Sequence, residues 1–304
     1  MPGVWVAGRR LVAVDGTCLD VADTPANDEH FGRPGVNKGE QAAFPMARVL
    51  AVAECGTHAI FAARVGAYSD SEATLAQELL PAALEPGMLL TADRGFFSYA
   101  LWRTCIATGA DLLWRVRTDT SGPKPQHLQD LPDGTWLAHL HRARPASERN
   151  AEPMLVRVID YTLDTRARDN GDVDAADAAE TADDAEAVTY RLFTTMLDPA
   201  TAPAVDLANS YAQRWEIENT FDELKTHQRG PRVVLRSKSP DLVLQEIWGH
   251  LCCHYAIRSL MAQAAEHGGH DPDRVSFTAA LRIARQTVSQ QGSFPPSAAN
   301  RSPN

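Results

Sequence analysis

The spacing of apolar and polar residues changes several times along the first 117 positions, and each change marks an element. Residues 11–14 are an apolar run that reads as a strand ending on Asp15, with a turn at Gly16-Thr17 and a short return strand at 18–21. Residues 24–45 are rich in Gly, Pro and Asn and read as a long loop. The runs 47–53 and 58–65 flank a turn at 54–57 and predict a hairpin. Ser69 followed by Glu72 has capping-box spacing for a helix reaching about Leu80. A wholly apolar run at 88–92 ends on Asp93, a helix over 98–108 stops at Gly109, and a strand follows at 111–117.

Residues 118–195 have a different texture, with Pro, Gly and short alternating strands at 136–141, 154–161 and 188–194. They predict a β-rich insertion, and the Ala/Asp tract at 164–187 reads as a solvated, disordered loop within it. From residue 204 the period returns to 3.6, with helices at about 204–227, 240–264 and 276–289 and a disordered tail at 291–304. The chain therefore divides into the first part of an α/β core (1–117), the insertion (118–195) and a helical second part of the core (196–290).

Composition narrows the class. At 304 residues there is room for one large domain or two modest ones. No apolar run approaches the roughly 20 residues needed to cross a bilayer, so no membrane partner is expected. Arg9 and Arg10 follow the short apolar opening instead of preceding it, which does not suit a signal peptide. Five cysteines without a CxxC pair, two of them adjacent at Cys252 and Cys253, fit a reduced, cytoplasmic setting. The net charge of −10 argues against nucleic acid until its distribution is read. Residues 164–187 hold nine acids against two arginines, whereas 225–238 hold five basic residues and no acid. A local basic stripe of this kind can meet phosphates whatever the total charge.

Candidate chemistry gathers on "YAQRWEIENTFDELKTHQRG", residues 211–230. On a regular helical wheel Tyr211, Arg214, Glu218 and Lys225 share an arc of about 60° beside the greasy flank of Ile217, Phe221 and Leu224. A carboxylate at that margin is costly unless it is paired. Arg214 and Glu218 at i, i+4 could be an ordinary surface ion pair, worth a few tenths of a kcal/mol. Likewise Asp15 in "LVAVDGT" and Asp93 in "LLTADRG" could simply open turns. Taken together, however, three carboxylates at two strand ends and a helix flank suit hard divalent cations. Two such ions can serve phosphodiester chemistry, with Arg214 and Lys225 holding phosphates and Tyr211 stacking on a base or donating to a phosphate.

The run Tyr211-x2-Arg214-x3-Glu218-x6-Lys225 resembles, spacing for spacing, the YREK signature of bacterial transposases of the insertion-sequence-4 family. "VAVDGT" and "TADRGF" resemble the contexts of that family's two catalytic aspartates, and the resemblance spans roughly residues 9–290. It implies a ribonuclease-H-like mixed sheet flanked by helices, with the β-rich insertion ahead of the helix bearing the glutamate. It also implies a catalytic and metal-binding triad of Asp15, Asp93 and Glu218. Two Mg²⁺ ions would be bound, Mn²⁺ being able to substitute, for cut-and-paste strand transfer. The partners it implies are double-stranded DNA, at transposon ends and target, and a second copy of the chain when DNA is bound. Tyr211, Arg214 and Lys225 would grip the DNA, and the basic stripe adds Arg229, Arg232, Arg236 and Lys238. Relatives usually carry a helical region before the first aspartate, whereas Asp15 lies close to Met1, so a truncated chain is expected. The alternative is an incompetent fragment that binds DNA or a full-length transposase and inhibits it.

Other readings are weaker. His250 and His254 suggest a metal site, but their apolar helix favours packing. His139 and His141 share a strand face, and "GRPG" at 32–35 lacks the lysine and serine of a phosphate loop. A carboxylate-pair sugar hydrolase would leave the 225–238 stripe unexplained.

Overall fold

The computed structural model describes residues 5–35, 41–141, 153–163 and 188–290. The acidic tract at 164–187 and the tail at 291–304 lie outside them, so the expected disorder of both falls beyond the description.

One mixed sheet organises the chain. Its strands are β1 (Trp5–Val6), β2 (Arg9–Asp20), β3 (Met46–Glu54), β4 (Ile60–Ala67), β5 (Met88–Ala92), β6 (Asp111–Val116), β7 (Pro125–Asp130), β8 (Trp136–Leu140), β9 (Met154–Leu163) and β10 (Val188–Thr194). In space they run β4-β3-β2-β5-β6-β10-β9-β8-β7, with β1 beside β2. The β4-β3-β2 side is antiparallel, β2-β5-β6 is parallel, and every strand beyond β6 is antiparallel again. The strands of the 118–195 region thus extend the same sheet, and β7 joins the three expected there.

Alternation along β2 sorts the core into two layers. Leu11, Ala13 and Leu19 face the layer that contains Tyr211, Ile217, Phe221 and Leu224. Val12 and Val14 face α2 (Glu72–Ala83) and α3 (Tyr99–Ile106), through Leu75, Leu80, Leu101 and Trp102. The remaining helices are α1 (Pro25–Phe31), α4 (Ala204–Ala212), α5 (Glu216–Asp222), α6 (Pro240–Gly268) and α7 (Phe277–Gln290).

Four expectations are corrected. β2 does not turn at Gly16-Thr17 but continues for 12 residues, pairing with β3 from Val12↔Glu54 to Asp20↔Met46. Gly16 is there for close approach: a Cβ would collide with the Glu72 carboxylate, which Arg48 holds at 3.0 Å. The 24–45 loop contains α1, whose Thr24 cap and Pro25 at its start are helix-opening signals. Helix α2 is capped by Ser71, not Ser69, through Thr74 N–H at 3.1 Å. The single helix expected over 204–227 is four segments: α4, a 3₁₀ turn at Gln213–Trp215, α5, and a π-turn at Glu223–Gln228. The uniform wheel therefore does not apply from Tyr211 to Lys225.

Candidate active site

The parallel ladder between β2 and β5 brings the two aspartates together. It pairs Arg10↔Met88 through Ala13↔Thr91, and continuing that register by two residues sets Asp15 beside Asp93. Both are on the face of Leu11, Ala13 and Leu89, opposite Tyr211 and Ile217. β5 ends at Ala92, so Asp93 leaves the sheet where β2 continues. Each carboxylate accepts the N–H of its successor: Gly16 at 2.8 Å for Asp15, Arg94 at 2.6 Å for Asp93. Arg115, on β6, stands 3.9 Å from Asp93.

Arg214 closes this arrangement from the helical side. Carried on the 3₁₀ turn, it is 5% exposed, with its guanidinium 3.8 Å from Asp15 and 3.5 Å from Glu218. Its charge is stacked over the Trp215 ring at 5.1 Å. Burial works against the charged guanidinium, but the fields of Tyr211, Asp93, Asp15 and Glu218 hold its pKa above the usual value. Burial pushes the Asp15 carboxyl up to about 6, against the Gly16 N–H and Arg214, with Glu72 and Asp93 adding to the rise.

The two aspartates and the glutamate are not gathered into a ready metal cage. Among the described residues no three His, Cys, Asp or Glu side chains are close enough to hold an ion. Arg214 bridges two of these carboxylates, 3.8 Å from Asp15 and 3.5 Å from Glu218. The donor set fits hard cations, since it is all carboxylate oxygen and includes a half-buried Asp15 whose charged form burial disfavours.

The other expected residues divide. Tyr211 is 6% exposed, and its hydroxyl is buried with no hydrogen-bond partner among the described residues. Lys225, on the π-turn, is half-buried, and its charge reaches the Cys18 thiol of β2. Arg232, Arg236 and Lys238 are exposed. Arg229 is half-buried: its guanidinium donates to Val233 O at 2.5 Å, and burial lowers its pKa. The loop that carries the stripe is stitched to β2 by Leu235 N–H to Asp20 O at 2.9 Å and a Val21–Leu235 bridge.

Two features escaped sequence reasoning. A cleft of about 870 Å³ opens beside Asp93, lined among others by Arg94, Tyr99, Arg117, Lys124 and His141. These side chains are separated in sequence, and only the sheet order brings them together. The second is a buried ion cluster around Glu223. His254, expected to be packing, is fully buried with Nε2 3.2 Å from the Glu223 carboxylate. No helix among the described residues is long and apolar enough to cross a membrane.

An aspartate inside β2 and another just past the end of the parallel β5, with a buried arginine and a glutamate nearby, form a carboxylate-rich site, and comparison with known proteins supplies the class. The chain belongs to the transposase DDE domain family, whose model matches residues 7–256. It is similar to the transposase InsG for insertion sequence element IS4 of Escherichia coli K12, 29% identical over 290 residues, which cover 95% of this chain and 61% of InsG. It is also similar to the putative transposase InsZ of the same organism, 29% identical over 160 residues, covering 48% of this chain and 53% of InsZ. The chain thus spans 61% and 53% of the length of these two relatives. A looser likeness is to the piggyBac transposase synaptic complex with hairpin DNA, with TM-score 0.49 and 10% identity over 95% of this chain and 55% of that one.

Proposed function

We propose that the chain cleaves DNA at the ends of an insertion element and transfers the strand by a cut-and-paste DDE mechanism, with Asp15, Asp93 and Glu218 as its carboxylates. The observation that carries this reading is the register that sets Asp15 beside Asp93 under Arg214 and Glu218. The order of three antiparallel strands followed by two parallel ones supports a ribonuclease-H-like core. Asp15, Asp93 and Glu218 would hold two Mg²⁺ ions, with Mn²⁺ able to substitute. When bound, such ions activate an attacking oxygen and stabilise a leaving one.

The chain's own residues prepare that chemistry. Arg214 holds Glu218 back while no substrate is present. A phosphate taking the guanidinium fork would release Glu218 toward the aspartates, so that DNA binding and site assembly become one event. Tyr211, on the same segment as Arg214, would join it in gripping the DNA near the cut. Lys225 and the exposed Arg232, Arg236 and Lys238 follow the backbone of double-stranded DNA, and Arg229 shapes their loop. Two copies would act together on paired ends.

The test is nicking of supercoiled DNA in Mg²⁺ or Mn²⁺ by the purified chain and by Asp93→Asn. Metal-dependent nicking lost in the folded variant is expected; metal-independent nicking, or equal activity in the variant, refutes the reading. A second reading is favoured by Arg214 standing between Asp15 and Glu218: a fragment that binds DNA or a full-length transposase without cutting. It requires association with the full-length relative and no nicking at any metal concentration.

A further inference from the structure

The segment that carries Arg236 and Lys238 is fastened to three separate elements. Leu235 N–H donates to Asp20 O of β2 at 2.9 Å. Asn27 of α1, fully buried, donates through its amide nitrogen to Ser237 O at 3.0 Å and to Ala22 O at 3.0 Å. Thr24, which caps α1, donates to Lys238 O at 3.0 Å. From α6, Glu246 accepts Arg236 N–H at 3.2 Å on one carboxylate oxygen and Ser237 N–H at 3.0 Å on the other. Burial alternates along the segment: Leu235 is buried and Ser237 half-buried, whereas Arg236 and Lys238 are exposed.

A surface loop ordinarily leaves such backbone groups to water. Here five of them, the N–H groups of 235, 236 and 237 and the carbonyls of 237 and 238, are taken by partners outside the loop. Two of those partners come at a cost. Asn27 keeps its amide oxygen buried with no hydrogen-bond partner among the described residues, which an apolar residue on α1 would avoid. Its orientation is fixed, because two carbonyl oxygens can be met only by the amide nitrogen. Glu246 sets a negative charge beside residues expected to meet phosphates, where like charge works against binding. What both supply is a fixed backbone, and a segment ordered in advance loses no further freedom when it binds.

We infer that Asn27 and Glu246 are positioning residues: they lock the backbone of residues 235–238 in the free protein and so present Arg236 and Lys238 as a preset pair of cations. That the pair meets DNA rests on the proposed reaction; that the segment is locked does not.

Trypsin cuts after Arg and Lys only where the backbone can open, so it reads the lock directly. The whole chain is digested under native conditions without DNA or metal, and mass spectrometry follows cutting after Arg236 and Lys238. Cutting after Arg117, exposed just past β6, reports general loosening. Glu246→Ala is expected to be cut after Arg236 about tenfold faster than the parent, with the Arg117 rate unchanged. Asn27→Asp has nearly the same shape but sets a carboxylate oxygen against Ser237 O, and it should quicken cutting after Arg236 and Lys238 alike. A Glu246→Ala protein cut after Arg236 at the parent rate overturns the inference, whether or not Asn27→Asp folds; so does one in which Arg117 quickens equally. Affinity for a short random-sequence duplex is scored separately. Removing an acid alone should tighten binding, whereas losing a preset grip should weaken it about three- to tenfold. A Glu246→Ala protein that is cut faster yet binds the duplex more tightly refutes the basic segment as the DNA grip and leaves the lock standing.

Discussion

Asp15 shows how a site can be costly to its own fold. Its carboxyl titrates near 6 when folded and near 3.8 in an open chain, so between those values the folded state binds more protons. Stability therefore falls as pH rises through that window, and at neutral pH the full penalty stands, at most about 3 kcal/mol. Asp15→Asn should abolish DNA cleavage and yet raise stability at pH 7.5 by about 1–3 kcal/mol. Urea melts should show the gain shrinking toward nothing below about pH 4. A variant less stable than the parent at pH 7.5 would contradict the assignment of that cost to burial. Arg214 carries the opposite expectation. Arg214→Ala leaves Asp15 and Glu218 without their shared cation, so cleavage should fall at least a hundredfold while the folded state survives, read by paired nicking and melting assays.

At the level of elements, a buried arginine ties the strand extension to the segment that leads into α4. Arg157 is fully buried; it donates to Thr135 at 2.8 Å and Ala202 O at 2.6 Å and pairs with Asp133. Asp133 in turn accepts Ala204 N–H at 3.2 Å, at the start of the helix leading to Arg214. Asp133→Ala strands a buried cation and should cost about 3–5 kcal/mol in urea unfolding. Amide exchange should quicken in α4 as well as in β8 and β9. Elements also mark the limit of what the sequence discloses. The hairpin β3–β4 and the apolar β5 ending before Asp93 follow from alternation and run length, whereas Asp15, expected at a strand end, lies inside β2. The unbroken β2 does not follow from them, because a glycine that admits Glu72 looks the same in sequence as a glycine that turns. The breaks in the 204–228 helix are equally silent. They are set by partners such as Arg258 and His58, 200 residues apart in the chain.

For the whole molecule, net charge misleads and distribution informs. Residues 164–187 supply most of the −10, while the loop after the π-turn presents Arg232, Arg236 and Lys238 to solvent. DNA affinity measured against salt should therefore decline steeply despite the acidic total. Replacing these three residues by alanine should reduce the log–log slope by about 2–3. An unchanged slope would move the DNA track elsewhere, with the cleft of Arg94, Arg117 and Lys124 as the next surface to test. The residues of that cleft were legible one by one but not as a group, since strand order, which local pattern does not encode, makes them neighbours.

The stitch between Leu235 and the far end of β2 would set a length scale for the proposed reaction. From Asp15 to the bridge at Val21 the chain is six residues of nearly straight strand, about 20 Å at the usual rise. Stacked nucleotides rise about 3.4 Å each. On the proposed reading, the basic loop and Asp15 would be two marks on one rigid ruler, about six nucleotides apart. Loop motion cannot change that interval without bending the sheet. The distance from grip to cut would then be a property of a β-strand, and inserting residues into the loop between Arg229 and Leu235 should leave the cleavage position where it was.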